Sequence, residues 1–296
     1  MINNEQPTNN RQRAPRHWLA LSWRVLRLLW APAHRTAERV RASYDRIAPG
    51  YDQAWTGHMR HLSLEMLARL DPPAGAECID LATGTGFVAG ELARRTGGRV
   101  FGVDASSGML QVARQGCPHG HFVQEDALTY LRRRPAASAD VITCAWALGY
   151  SRPWAILCES ARVLRPGGRI GVIDNSLTSL AEVLWLSVQA FAERPADLSH
   201  VMKVRFLPGS AVLAAMMRAA GLGVRRRWDG RMSYHVGGGQ EALARLTATG
   251  AAAGFEFAAE ADEREAVFAR FAELIDRRGG GFDVTHRYLA AVGVRP

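Results

Sequence analysis

An α/β fold built on a doubly wound, mostly parallel sheet is the class this sequence predicts. Three observations predict it. Five strand-like segments alternate with helical ones between residues 77 and 175. A glycine-rich turn, Gly84-Thr85-Gly86, joins the first strand to its helix. Acidic residues Asp80, Asp104 and Asp126 close the first three strands. Strands alternating with helices of this length imply crossover connections and hence a parallel sheet.

The elements follow in order. Residues 1–16 are polar and without periodicity, and predict a disordered tail. Residues 17–34 place Trp18, Leu21, Val25, Leu28 and Leu29 at helical spacing, with Trp23 and Trp30 beside them. Arg24 and Arg27 interrupt that segment, which argues against a membrane span or a signal peptide. Two readings stay open for it. One is a helix packed on its own domain or on a second copy, giving a homodimer. The other is a basic amphipathic helix on an anionic membrane surface. Residues 36–70 are helical, broken at Ala48-Pro49-Gly50, and with 17–34 form an N-terminal helical cap over 17–70.

The core is expected over 71–175. Its strands are 77–82, 99–105, 121–127, 140–148 and 169–175, the last preceded by the turn Arg165-Pro-Gly-Gly168. Helices fall at 86–96, 107–115, 128–134 and 152–164. Beyond 175 come helices at 179–194, 211–222 and 250–278, with strands at 223–231 and 286–294. Two late strands added to five give a seven-stranded sheet, with helices inserted before and between the last two. This third region, 176–296, is expected to bind the acceptor.

Charge is concentrated at one end. Nine arginines against Glu38 and Asp45 leave residues 11–46 at +7, of +9 for the whole chain. No zinc spacing or nucleic-acid motif accompanies this charge, so no nucleic-acid partner is expected. Cys78 and Cys144 lie in apolar runs and none of the four cysteines forms a CxxC pair, which fits a reduced, cytoplasmic setting. No metal site is expected.

Gly84 to Ala89 satisfies GxGxxA, a loop that serves dinucleotides as well as smaller nucleotides. Its surroundings discriminate. Asp80 stands four residues before Gly84, where it would repel a pyrophosphate and suit a cation. Asp104 is placed to accept two ribose hydroxyls, and Asp126, with the Ala127 N–H, to meet an adenine. The three describe a nucleoside with a positively charged tail, as in S-adenosylmethionine. An NAD(P)-dependent oxidoreductase is the rival. It would need a phosphate-facing loop, and no Tyr-x-x-x-Lys dyad exists when Lys203 is the only lysine. A non-catalytic cofactor-binding regulator is the other alternative.

These segments resemble a known family, the class I S-adenosylmethionine-dependent methyltransferases. Residues 80–86, DLATGTG, are similar to its first motif, with Ala82 where glycine is frequent. Residues 100–110, 124–130 and 161–174 resemble its later motifs. Residues 43–55, SYDRIAPGYDQAW, resemble the cap of ubiquinone and menaquinone C-methyltransferases. The resemblance implies a Rossmann-like methyltransferase fold and cofactor contacts at Tyr44, Tyr51, Asp80, Ala82, Gly84, Gly86, Asp104, Ala105, Met109, Asp126, Ala127, Ala145 and Trp146. Tyr150 follows the fourth strand and joins His200 and His235 as catalytic candidates. The expected acceptor is a small or lipophilic organic molecule. The tail of the chain is loosely similar to malonyl-carrier-protein O-methyltransferases, which adds an acyl carrier protein as a candidate partner. A secondary-metabolite tailoring enzyme is a third option.

Overall fold

The computed structural model describes residues 14–30, 34–249, 258–279 and 281–296. Most of the tail expected over 1–16, and the first part of the helix expected over 250–278, lie outside these residues. The N-terminal region holds α1 (Ala14–Leu29), α2 (His34–Ile47) and α3 (Gly57–Leu70); of these, α2 and α3 line a cavity, and α1 packs on the late region. Between α2 and α3 the chain makes a 3₁₀ turn at Ala48–Gly50 and a π turn at Asp52–Thr56.

The alternating region follows as β1 (Cys78–Leu81), α4 (Phe87–Thr96), β2 (Val100–Asp104), α5 (Ser107–Gly116), β3 (His121–Gln124), α6 (Ala127–Arg133), β4 (Ala139–Ala145), α7 (Pro153–Val163) and β5 (Leu164–Asn175). The last region holds α8 (Ala181–Glu193), α9 (Ser210–Ala219), β6 (Gly223–Val236), α10 (Gly239–Ala248), α11 (Ala261–Asp276) and β7 (Phe282–Val294). Helix α10 was not anticipated, and α11 is shorter than the helix expected there.

The sheet has seven strands in the order β3-β2-β1-β4-β5-β7-β6. The first five are parallel, and β7 runs antiparallel between β5 and β6. All four residues of β1 are buried, as a strand covered on both faces requires. Strand β6 is an edge whose exposure alternates along its length, and it runs five residues past the expected end at Arg231. The turn at Arg165–Gly168 does not interrupt β5. It bulges between the Ala139–Leu164 and Val141–Arg169 pairs, and Gly167 N–H donates to the Arg295 carbonyl.

Each face of the sheet carries an apolar core. One contains Ile79, Ile142, Leu157 and Met217; the other contains Met66, Leu67, Leu92 and Val292. A third core lies in the late region and joins α8, α10, α11 and the ends of β6 and β7 with Leu21 of α1. The N-terminal helix is therefore packed on its own chain through Leu21, Val25 and Leu28. Among the described residues, no helix is long and apolar enough to cross a membrane.

Candidate functional site

The winding of the chain places the site. Strands β1, β2 and β3 step to one side of the sheet, and β4 and β5 to the other, so a crevice opens at the carboxyl ends of β1 and β4. A cavity of about 590 Å³ lies there. Asp80, Asp104 and Asp126 all line it, as do Tyr44, Tyr51, Ala82, Gly84, Ala105, Met109, Ala127, Ala145, Trp146 and Tyr150.

The strand-to-helix turn at its floor uses left-handed backbone three times, at Ala82 (φ 52°), Gly84 (φ 56°) and Gly86 (φ 83°). Gly86 is not itself in the wall. It is needed because a Cβ there would stand 2.9 Å from Ala113 Cβ, so α4 and α5 could not approach. Ala82 holds a conformation that glycine adopts without strain, which gives the motif's frequent glycine a physical reason. Trp146, at the end of β4, is left-handed too (φ 62°), and its indole N–H donates to Ser63 Oγ at 3.0 Å.

The carboxylates differ in what holds them. Asp104 accepts Gly84 N–H on Oδ2 at 2.8 Å and Ser106 N–H on Oδ1 at 2.9 Å. Each oxygen keeps a lone pair, which suits a vicinal diol. Burial pushes its carboxyl up from the usual carboxylate range, against these backbone bonds. Asp80 sits deeper. It accepts Thr143 Oγ1–H at 2.7 Å and Thr83 Oγ1–H at 2.6 Å. Burial pushes it up to about 6, despite the two threonines. A buried carboxylate so satisfied is an electrostatic partner for a cation. Asp126 caps α6, accepting from Thr129 N–H at 2.9 Å.

These residues fit S-adenosylmethionine. The cavity offers an acceptor pair for the ribose and a buried anion near the turn. No lysine or arginine stands in that turn to hold a phosphate.

The cap closes the cavity from above. Thr36, Ala37, Val40, Arg41 and Tyr44 form one face of α2 and line it. Two aspartates, unnoticed in the sequence, fasten the cap to the core. Asp45 accepts Ser106 Oγ–H at 2.6 Å and Gly108 N–H at 2.9 Å. Burial would raise its carboxyl, but these donors hold it below the ordinary range. A Cβ on Gly108 would meet the Asp45 carbonyl oxygen at 2.8 Å, so glycine admits α2 at this point. Asp52 accepts Thr85 Oγ1–H at 2.5 Å, within the glycine turn itself. A signal was present: Tyr44-Asp45 and Tyr51-Asp52 repeat at a spacing of seven. The tyrosines face the cavity, and the aspartates bond the core.

Aromatic side chains frame the space beside β4. Tyr44 meets Tyr51 and Tyr150 edge-on at 6.0 and 6.4 Å, and Tyr150 meets Phe206 at 5.4 Å. Burial pushes the Tyr150 phenol up to about 12 and those of Tyr44 and Tyr51 well above their ordinary value. All three are therefore protonated at neutral pH. Asp174 holds the turn that carries Tyr150 by accepting Gly149 N–H at 2.7 Å.

The two histidines do not join this group. His200 is buried behind the cap, bonded to Thr36 Oγ1 at 3.1 Å. His235 is exposed on β6 and pairs with Asp283 at 2.9 Å. Neither lines the cavity. No cluster of metal-binding side chains occurs among the described residues, and all four cysteines are free.

Residues 78–168 match a family model described as a methyltransferase domain. The chain is 34% identical over 149 residues to a demethylmenaquinone methyltransferase of Tropheryma whipplei, covering 48% of this chain and 60% of that protein. It is 30% identical over 207 residues to a 2-phytyl-1,4-naphthoquinone methyltransferase of Thermosynechococcus vestitus, covering 56% of this chain and 90% of the relative. Among solved structures, a putative methyltransferase of Bacillus halodurans superposes with a TM-score of 0.56 at 17% identity, over 79% of this chain and 98% of that one. A putative methyltransferase in complex with the Haloferax volcanii Trm112 activator gives 0.54 at 23%, over 86% and 97%. At these identities the structural likeness establishes the fold.

Proposed function

Because the chain belongs to the class I S-adenosylmethionine-dependent methyltransferases, we propose that it transfers a methyl group from that cofactor to a small, lipophilic organic acceptor. The observation that carries this reading is the lining of one cavity. The carboxylates Asp80, Asp104 and Asp126 share it with the rings of Tyr44, Tyr51, Trp146 and Tyr150. The names of two of the relatives above, a demethylmenaquinone and a phytyl-naphthoquinone methyltransferase, support an electron-rich ring as the acceptor.

When bound, S-adenosylmethionine supplies an electrophilic methyl on a sulfonium, whose C–S bond breaks as the acceptor's electron pair arrives. The chain's residues orient and enclose. Asp104 and Asp126 would hold the nucleoside, and Asp80 would balance the positive charge. The electron-rich faces of Tyr44, Tyr51 and Tyr150 favour a cation beside them. The cap, fastened by Asp45 and Asp52, excludes water and holds the reactants in line. Tyr150, protonated at neutral pH, serves as a hydrogen-bond donor rather than a base. An acceptor already ionised or electron-rich needs no base from Tyr150.

A second reading rests on one observation. Arg152, Lys203 and Arg205 all line the cavity, and the Arg205 backbone N–H donates to the Gly149 carbonyl at 2.7 Å in the turn after β4. Such a cationic lining favours an acceptor with a carboxylate, the class that includes a malonyl thioester on an acidic carrier protein. Methyl-labelled cofactor incubated with a prenylated hydroquinone, and separately with a malonyl thioester, tests both. Label in the hydroquinone supports the first reading, label in the thioester the second, and label in neither overturns both.

A further inference from the structure

The N-terminal helix is apolar on two opposite faces. Leu21, Val25 and Leu28 face the third core. Leu19, Trp23, Leu26 and Trp30 recur every three or four residues and form a separate stripe within about 60° of arc. That stripe is bare: Trp23 is 74% exposed and Trp30, just past the helix, 89%. Helix packing within the chain explains the first face and leaves the second without a role.

A second helix lies against the flank of α1 that carries Trp18. Trp18 stacks on Trp185 of α8 at 5.8 Å, nearly parallel, and α8 exposes Leu184 and Val188 beside it. Two adjoining helices thus expose apolar side chains, among them Trp18, Trp23 and Trp185, with Trp30 just past α1. Exposed apolar surfaces of this kind mark interaction sites.

We propose that this surface docks on an anionic lipid bilayer, from which the acceptor enters the cavity. The proposal rests on the lipophilic-acceptor reading for its purpose, and on charge for its choice of partner. Residues 17–34 hold Arg24 and Arg27 and no acidic residue, and Arg27 is exposed one position from the stripe. A second copy would set two such basic segments against each other, whereas an anionic headgroup layer complements them. Tryptophan beside arginine is also the composition that settles at the headgroup level. The surface leads to the site: Lys203, which lines the cavity, donates from Nζ to the Leu29 carbonyl at 2.6 Å, tying the end of α1 to the cavity wall.

The test uses the full chain and flotation with phosphatidylcholine vesicles, with and without about 30% phosphatidylglycerol. Preferential binding to the anionic vesicles is expected. The double variant Trp23→Glu, Trp30→Glu should bind them at least about tenfold more weakly. Its affinity for S-adenosylhomocysteine, measured by calorimetry, should match the parent's, which shows that it is folded. No acceptor is present, so failure of the acceptor reading cannot imitate failure here. Absence of binding to anionic vesicles overturns the proposal, as does binding undiminished in the variant. A dimer in light scattering that the variant dissociates, without vesicle binding, overturns it in favour of a second copy.

Discussion

Removing the Asp104 carboxylate tests the site at its centre. The side chain has two duties in the structure. It accepts two backbone N–H groups, from Gly84 and Ser106, one on each oxygen. Its remaining lone pairs face the cavity and suit the ribose. In Asp104→Ala the two N–H groups lose a charged acceptor in a partly buried setting. Water reaches them in part, so the expected loss of stability is about 2 kcal/mol, the lower end for two such groups. The ribose hydroxyls lose a charged acceptor as well, worth about 1.5–3 kcal/mol, or roughly 10- to 150-fold in affinity. Urea unfolding of the ligand-free protein reads the first effect. Calorimetric titration with S-adenosylhomocysteine under native conditions reads the second. Lower stability with affinity changed by less than about twofold would show that Asp104 only braces the turn, and the ribose assignment would fall.

Three further outcomes are expected. Gly86→Ala should cost about 2–4 kcal/mol in urea unfolding, since it combines a left-handed backbone with overpacking against Ala113; a neutral result would mean that α4 and α5 separate freely. Asp80 has its carboxyl raised to about 6. It is ionised above that pH and neutral below, so affinity for the cationic S-adenosylmethionine should fall as pH drops through 6, and Asp80→Asn should flatten the profile. A parent profile already flat between about pH 5 and 8 would remove Asp80 as the partner of the positive charge. His235→Ala should leave the rate of label transfer unchanged and shift stability by less than about 0.5 kcal/mol, because its ion pair with Asp283 is exposed. A collapse in rate would return it to the site.

The cofactor site was legible in the residues because it is made locally. A strand, a tight turn and a helix lie within one short stretch, and each acid lies at or near the carboxyl end of the strand that positions it. Asp80, Asp104 and Asp126 reach a common cavity simply because parallel strands end on one side. The seven-stranded sheet was legible for the same reason, although β6 ran longer than expected. An edge strand with one solvated face carries too many polar residues to announce its length.

The closure of the cavity by α2 depends on contacts between distant parts of the chain, and no periodicity encodes these. Asp45 bonds Ser106 and Gly108, sixty residues away, and Asp52 reaches Thr85. The histidines looked equally available in sequence, and only packing separated both from the cavity. The N-terminal helix shows the division most directly. Its sequence established that it is apolar and basic, through spacing and composition alone. Only the tertiary structure decided which face Leu21 turns inward and that Trp23 and Trp30 stay bare, because burial is a property of what the rest of the chain brings alongside.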